Sequence, residues 1–423
     1  MSDQPKRADR RPCLRLDVPP GPPGLQVVMP ALRAALDGSG PAIALVPAPA
    51  AGGATEPTSA YRDRIIAAVS PGTAVPPEVA VVLATSGSTG DPAGVLLPAS
   101  ALQAAARGFA AHRGRPEGHL WVAALPLHHA GGLMVAVRAA VARSTVVPMS
   151  SLGGATPFTV EAFGRATERA EALATGDGRP MAVSLVPAML TTLAAGGSEG
   201  VALLRAYDAV LVGGAAAPRG LVARLREAGV RLLRSYGMTE TCGGVVFDGR
   251  PLAGTVLDTA ADGRLRVRGA QVGLGYRDGR QAERWSLAPD GSRCFLTDDL
   301  GSVAADGEVR VVGRVDDVVQ VGGASVSLGA VAQVLRDDAG VVAAEVVALP
   351  DDRLGSRLVA LVVAVPGGPT GPRSAALADS VEAELGRVAR PRHIHMVAAL
   401  PMLASGKPDR AALLELAGAA AGA

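Results

Sequence analysis

Val79-Ala80-Val81-Val82-Leu83-Ala84 runs without a polar residue into Thr85-Ser86-Gly87-Ser88-Thr89-Gly90-Asp91-Pro92-Ala93-Gly94. An unbroken valine-rich apolar run that ends in turn formers predicts a strand buried on both faces. A Gly/Ser/Thr loop at a strand end offers backbone N–H groups and hydroxyls to anionic oxygens. Glycine lets the backbone approach a phosphate closely. The G-x-x-x-x-G-K-[ST] spacing of a Walker loop is absent. Taken alone, the loop reads equally well as an ordinary polar turn.

The same rhythm continues downstream. Short apolar runs predict strands at 120–127 (LWVAALPL), 144–149 (STVVPM), 181–187 (MAVSLVP), 207–214 (YDAVLVGG) and 230–237 (VRLLRSYG). Helix-like segments alternate with them at Ala99–Ala111, Leu133–Ala142, Thr159–Leu173, Ala188–Ala194 and Arg219–Ala228. This alternation predicts an α/β architecture with mainly parallel strands. Upstream, residues 1–25 are charged and proline-rich and read as a loose lead-in; helices are expected over Leu25–Leu36 and Ser59–Ala68. Beyond about residue 255 strand-like pieces crowd together at 264–269, 307–314 and 317–323. A helix (Val331–Arg336), the strands AAEVVALP and LVALVVAV, a helix (Ala375–Val388), the strand HIHMVAAL and a last helix (Ala411–Leu416) then read as a small α+β unit. The boundary is placed after Arg314, giving an N-terminal domain over 1–314 and a C-terminal domain over 315–423.

Composition narrows the function classes. A chain of 423 residues exceeds what one core usually serves, so two domains are expected. Hydrophobic residues make up 48% and aromatics 3%, so the core is built from Ala, Val and Leu. A net charge of +2 gives no electrostatic case for nucleic acid. Cys13, Cys242 and Cys294 form neither a disulfide framework nor a metal pattern. That suits a reducing cytosol. The charged start lacks an apolar signal core, and no apolar run reaches the ~18–20 residues of a membrane span. The expectation is a soluble cytoplasmic protein. The basic residues are almost all arginine: Lys6 and Lys407 are the only lysines.

Four further segments carry chemistry. Ser235-Tyr236-Gly237-Met238-Thr239-Glu240-Thr241 ends a predicted strand, and a carboxylate after a glycine turn can hold Mg2+. Alone, Glu240 reads as a solvated loop acid. Thr297-Asp298-Asp299-Leu300-Gly301 offers paired acceptors for ribose hydroxyls, or a plain strand-end turn. Gly313-Arg314-Val315-Asp316-Asp317 places charges at the domain boundary, where Arg314 reaches a nucleotide or pairs with the adjacent Asp. Ser405-Gly406-Lys407-Pro408-Asp409-Arg410 keeps a lysine in a Gly/Pro loop, and a flexible ammonium can approach developing phosphate and carboxylate charge.

In order and spacing the set resembles the adenylate-forming superfamily of acyl-CoA synthetases, luciferases and peptide-synthetase adenylation domains. The resemblance covers roughly residues 79–415. It implies a large α/β N-terminal domain, with parallel-type sheets, flanking helices and a distorted barrel-like portion, and a small mobile α+β C-terminal domain. It implies ATP at Thr85, Ser86, Gly87, Ser88, Thr89 and Gly90, with Gly213, Gly214 and Ala215 of GGAAAP lining the adenine pocket. Ser235, Tyr236, Gly237, Met238 and Thr239 match the adenine- and Mg-associated segment, with Glu240 on the metal. Asp299 takes the ribose, Arg314 lies near it, Asp316 is the hinge pivot and Lys407 the catalytic lysine. One departure is plain: the family's phosphate loop usually reads P-K-G where this chain has Pro92-Ala93-Gly94. Loss of that lysine removes a phosphate-directed charge.

Leu125-Pro126-Leu127-His128-His129-Ala130-Gly131-Gly132-Leu133 resembles the L-P-L-x-H-x-x-G-L segment of o-succinylbenzoate–CoA ligases of menaquinone biosynthesis, and Val183-Ser184-Leu185-Val186-Pro187 resembles another stretch of that group. The resemblance implies that His129 gates or lines the acyl pocket, with Ser184 beside it. A packed strand-end histidine is the plain reading. Arg138, on the following helix, is the expected partner of the acid's second carboxylate; a solvated helical arginine is the alternative. The implied co-substrates are ATP and CoA, with Mg2+ as cofactor, a small carboxylic acid as substrate and a homodimer as the assembly the superfamily often forms. Two other readings stay open: an adenylation enzyme loading a carrier-protein thiol, and a degenerate nucleotide-binding homologue, which Ala93 alone supports.

Overall fold

The computed structural model describes residues 10–49, 59–85, 92–154, 156–365, 373–402 and 408–421. The chain divides into two units: Met1–Gly214, Ala228–Leu257 and Arg266–Leu296 form the first, and Ala215–Glu227, Asp258–Leu265 and Thr297–Ala423 the second. The boundary expected after Arg314 falls inside the second unit, whose own contacts begin further upstream.

In the first unit, β1 (Cys13–Val18), β2 (Ala42–Pro47), β3 (Val79–Ala84) and β4 (Gly94–Pro98) form a sheet in that order. β1, β2 and β3 run parallel, and β4 returns antiparallel to β3. β3 is buried at all six positions, as its unbroken apolar sequence demands. Alternate residues face opposite sides. Val81 and Leu83 share a core with α1 (Pro22–Asp37), while Val82 and Ala84 pack with Ile65 and Val69 of α2 (Ser59–Val69). The loose lead-in expected over residues 1–25 is corrected at Cys13–Val18. β1 is an edge strand that exposes Leu14 and pairs Arg15 with Asp17, so its sequence reads as charged rather than as a buried run.

The second sheet contains β5 (Leu120–Ala123), β6 (Val146–Pro148), β7 (Met181–Leu185), β8 (Ala209–Val212), β9 (Leu232–Met238), β10 (Gly243–Phe247) and β11 (Arg250–Pro251). Its order is β11-β10-β9-β8-β7-β5-β6. The strands from β9 to β6 are parallel, and β10 and β11 add antiparallel at one edge. The same stretch of chain supplies α3 (Ala99–His112), α4 (Ala130–Ala142), α5 (Val160–Asp177), α6 (Pro187–Ala195) and α7 (Gly197–Arg205). α7 was not expected, because Gly196-Gly197 interrupts the apolar period. β5 stops at Ala123, short of the expected residue 127, since the residue before Pro126 leaves the ladder.

β12 (Thr255–Thr259), β13 (Arg264–Gly269), β14 (Trp285–Leu287), β15 (Arg293–Val303) and β16 (Val309–Arg314) make a five-stranded sheet. Its order is β12-β13-β15-β14, with β16 pairing β15 beyond that path. β12, β13 and β15 contribute residues to both units.

The second unit holds α8 (Arg219–Glu227), the β17 (Val318–Val321) and β18 (Ala324–Ser327) hairpin, and a three-stranded sheet of β19 (Val341–Asp351), β20 (Gly355–Ala364) and β21 (His393–Met396). Leu358, Ala360 and Val362 of β20 face Val331 and Leu335 of α9 (Leu328–Asp337) and Leu377 and Val381 of α10 (Arg373–Leu385). Val359 and Leu361 face Leu413 and Ala417 of α11 (Arg410–Ala421). A sheet with both faces apolar therefore carries helices on both, the α+β arrangement expected. Among the described residues no helix is long and apolar enough to cross a membrane.

Candidate active site

The carboxyl ends of β5, β7, β8 and β9 lie side by side in one parallel sheet, where open α/β sheets bind their ligands. The chain places His129 in the segment after β5, Ser184 near the end of β7, Gly213 and Gly214 just beyond β8, and Ser235, Tyr236, Gly237 and Met238 at the end of β9. Thr239–Thr241 follows as a single tight turn. Thr241 clamps this turn: its hydroxyl accepts from the Met238 N–H at 3.1 Å and donates to the Gly243 carbonyl at 2.9 Å. A Cβ on Gly237 would collide with that same carbonyl, so glycine at this point of YGMTE is a packing requirement.

The phosphate-loop segment joins β3 to β4, antiparallel neighbours. Its base is closed by a reciprocal pair: Thr85 N–H donates to the Ala93 carbonyl at 2.8 Å, and the Ala93 N–H donates to Thr85 Oγ1 at 3.0 Å. Ser86, Gly87, Ser88, Thr89 and Gly90 lie outside the described residues, as does Lys407. Glu240 is 8% exposed, so it is no solvated loop acid; its Oε1 accepts from the Tyr276 hydroxyl at 2.6 Å. Magnesium takes oxygen ligands, keeps several waters and is usually held by one or two carboxylates together with substrate phosphates. A single recessed carboxylate at a strand end fits that demand.

His129 caps the N-terminus of α4 and is half-buried. The helix docks closely on the preceding turn. A Cβ on Gly132 would collide with the Pro126 and Leu125 carbonyls, which explains the glycine of the L-P-L-x-H-x-x-G-L pattern. His128, at the variable position, is 8% exposed with its ring 4.5 Å from that of His129. Its Nδ1 has no hydrogen-bond partner, and burial, followed by the neighbouring His129, holds its pKa well below the usual imidazole value.

Arg138 is not brought to His129. Nine residues along one helix separate them by about 13.5 Å and half a rotation. The guanidinium instead lies 4.6 Å from the Phe109 ring centre and 5.3 Å from that of Trp121, at the opening residues of β5, with 6% exposure. Burial lowers its pKa to about 10, so it remains a cation at neutral pH. This is a buried position, which corrects the solvated alternative. Nearby, His119 Nε2 lies 2.9 Å from Asp208 Oδ2, and Arg113 and Arg115 hold the same carboxylate at 3.4 and 3.3 Å.

In the second unit, Asp298 and Asp299 lie within β15, not in a strand-end turn, and Asp299 faces Arg314 of β16. Arg314 reaches Asp298 and Asp299, each at 3.4 Å, and Asp316 at 2.8 Å. Burial works to lower the Arg314 pKa, but the hydrogen bond to Asp316 and the charges of the three carboxylates outweigh it and raise the pKa. Asp317 pairs with Arg410 at 2.7 Å. Burial raises the Asp317 pKa. Ala215 belongs to this unit as well. Cys13, Cys242 and Cys294 are buried and free. Burial raises the Cys13 pKa and pushes that of Cys242 up to about 12, which makes both poor nucleophiles.

YGMTE at the carboxyl end of a parallel sheet in the first unit, and the Asp299–Arg314 pair on adjacent strands in the second, are features of an adenylate-forming enzyme. The chain belongs to the AMP-binding enzyme family, which matches residues 33–277, with the AMP-binding enzyme C-terminal domain matching 330–407. It is 37% identical, over 94% of its length and 97% of the relative's, to a "probable 2-succinylbenzoate–CoA ligase" of Mycobacterium tuberculosis. Among solved structures it resembles the o-succinylbenzoate coenzyme A synthetase of Bacillus subtilis in complex with ATP and magnesium ion (26% identity, TM-score 0.64, covering 79% of this chain and 70% of that one). It also resembles an amide bond synthetase from Marinactinospora thermotolerans (26% identity, TM-score 0.66, covering 90% and 75%).

Sequence reasoning missed Tyr276 and His128. Tyr276 sits in Gly273-Leu274-Gly275-Tyr276-Arg277, a glycine-flanked tyrosine in a chain with four tyrosines. That scarcity was the available signal.

Proposed function

We propose that the protein is an ATP-dependent acid–CoA ligase acting on 2-succinylbenzoate, which it activates as an acyl-adenylate and transfers to CoA. What supports this reading most is the near full-length similarity to a probable 2-succinylbenzoate–CoA ligase, combined with His129 and Ser184 toward the carboxyl ends of the neighbouring strands β5 and β7. In the first step the substrate carboxylate attacks the α-phosphorus of ATP in line and pyrophosphate leaves. Negative charge concentrates on phosphoryl oxygens, so catalysis is positioning and electrostatic stabilisation. Bound Mg2+ would neutralise phosphate charge, with Glu240 as its protein ligand. The loop that Thr85 closes supplies N–H donors, Lys407 an ammonium, and Asp299 and Arg314 the ribose contacts. No protein nucleophile takes part.

In the second step the CoA thiol attacks the acyl carbon and AMP leaves. Asp316 is the pivot for the exchange between the two half-reactions, which shields the adenylate from water. His129 lines the acyl site. Arg138 has no part in it.

The test is pyrophosphate release across a panel of aromatic and dicarboxylic acids, with and without CoA. The reading requires 2-succinylbenzoate to be the best acid and its thioester to appear only with CoA. Thioester formation on a carrier protein without CoA would favour the carrier-loading reading. No pyrophosphate release with any acid would favour the degenerate one.

A further inference from the structure

Residues 273–277 bind the metal carboxylate to the exit of the phosphate loop. The Gly273 N–H donates to the Glu240 carbonyl at 2.8 Å. The next residues then run beside β4: Leu274 N–H donates to Leu96 at 2.9 Å, Leu96 N–H to Gly275 at 3.0 Å and Arg277 N–H to Gly94 at 2.7 Å. Tyr276, opposite Val95 in this ladder, directs its hydroxyl to Glu240 Oε1 at 2.6 Å. Its ring meets Trp285 edge-on with centres 5.8 Å apart, and Trp285 packs on Phe295 at 4.5 Å. Both ends of the tyrosine are therefore fixed, the backbone by β4 and the ring by Trp285.

We propose that Tyr276 is a positioning residue for Glu240, holding the carboxylate in the orientation that receives Mg2+. This rests on the reading of Glu240 as the metal ligand. An ionised carboxylate only accepts hydrogen bonds, and a hydroxyl donating to it makes a short, charge-assisted bond. That bond removes a rotation that metal binding would otherwise have to freeze. Because the same five-residue segment pairs with β4, the bond also sets the spacing between Glu240 and the base of the phosphate loop.

The test is direct binding of Mn2+·ATP, followed by the electron paramagnetic resonance of free Mn2+, in the wild type, Tyr276→Phe and Glu240→Gln, with no acid present. Tyr276→Phe should weaken Mn2+·ATP binding about tenfold, as loss of an outer-shell partner typically does. It should also raise the Mg2+ concentration for half-maximal pyrophosphate release, with KM for the acid unchanged. Wild-type binding by Tyr276→Phe alongside impaired Glu240→Gln overturns the positioning role and leaves Glu240 standing. Wild-type binding by both variants overturns the two assignments together. If Tyr276→Phe does not fold, Trp285→Leu frees the ring while keeping the hydroxyl. It should weaken Mn2+·ATP binding in the same direction, and unchanged binding overturns the proposal.

Discussion

Arg314 Nε lies 2.8 Å from Asp316 Oδ1, and the same guanidinium reaches Asp299, its partner across the β15–β16 ladder. The residue expected at the ribose and the residue expected at the hinge are thus joined through one side chain. Asp316 sits in the tight turn Val315–Asp317 between two strands. Proline at 316 would fix φ there and remove an N–H donor. Asp316→Pro is expected to keep acid-dependent pyrophosphate exchange within about tenfold of wild type while thioester formation falls by a further hundredfold or so. Rapid-quench measurement of the two half-reactions checks this; equal losses in both would remove Asp316 from the hinge role.

Lys407 is the test of charge stabilisation in the first half-reaction. Removing one preorganised donor to developing charge costs roughly 10²–10³ in rate. Lys407→Ala should lose that much adenylation, yet still convert synthetic acyl-adenylate to thioester at near the wild-type rate. Undiminished pyrophosphate exchange would contradict the assignment.

Gly132 tests the docking of α4. Its missing Cβ leaves room for the Pro126 and Leu125 carbonyls, so Gly132→Ala must push the helix away and carry His129 with it. A loss of about 2–4 kcal/mol is expected from strain in a packed site, read by urea denaturation, together with a raised KM for the acid. A variant with wild-type stability and KM would show that the turn yields freely.

Arg138 gives a prediction opposite to its expected role. A buried cation stacked on Phe109 and Trp121 can be replaced by an apolar side chain of similar length with little loss. Arg138→Met should match or exceed wild-type stability, whereas Arg138→Ala should cost about 2–4 kcal/mol through the cavity it leaves. Neither should change KM for mono- and dicarboxylic acids selectively. A rise confined to dicarboxylic acids would return Arg138 to the acid site.

Stability should fall on mild acidification. Burial lowers the folded-state pKa of both His119 and His128 below the ordinary value, in His119 despite the bond to Asp208. With the folded pKa depressed, the unfolded chain binds protons first as pH drops through about 6.5, and unfolding gains by up to about 1.4 kcal/mol per pH unit per histidine. The contribution is complete above the unfolded value and is lost below it. Melting temperature should therefore drop between pH 7.5 and 5.5, and His128→Phe should flatten the slope. An unchanged slope would show that His128 charges without cost.

Much of the fold was legible because it is written in local patterns. The apolar run Val79–Ala84, the alternation through Met238 and the two-sided strand Gly355–Ala364 each state their burial in their own composition. β1 and α7 were not legible, since an edge strand with Arg15 and Asp17 and a helix opening on Gly197 look like loops until neighbours cover them. The site divides in the same way. Glu240, Asp299 and Arg314 stand in segments that resemble the family's motifs, and the packing explains why glycines stand at 132 and 237. Tyr276 carries no motif, because its partner Glu240 is distant in sequence and the pair exists only where residues 273–277 lie against β4.

Sequence by itself determined the α/β architecture and the family motifs, which depend on residue type and spacing within short windows. Tertiary structure alone decided that Arg138 is a buried cation against Phe109 and Trp121, that His128 is buried, and that the Tyr276 hydroxyl meets Glu240. Each of these depends on which face of a helix or strand meets which neighbour. Burial and pairing between distant segments are set by packing, and a linear pattern does not carry them.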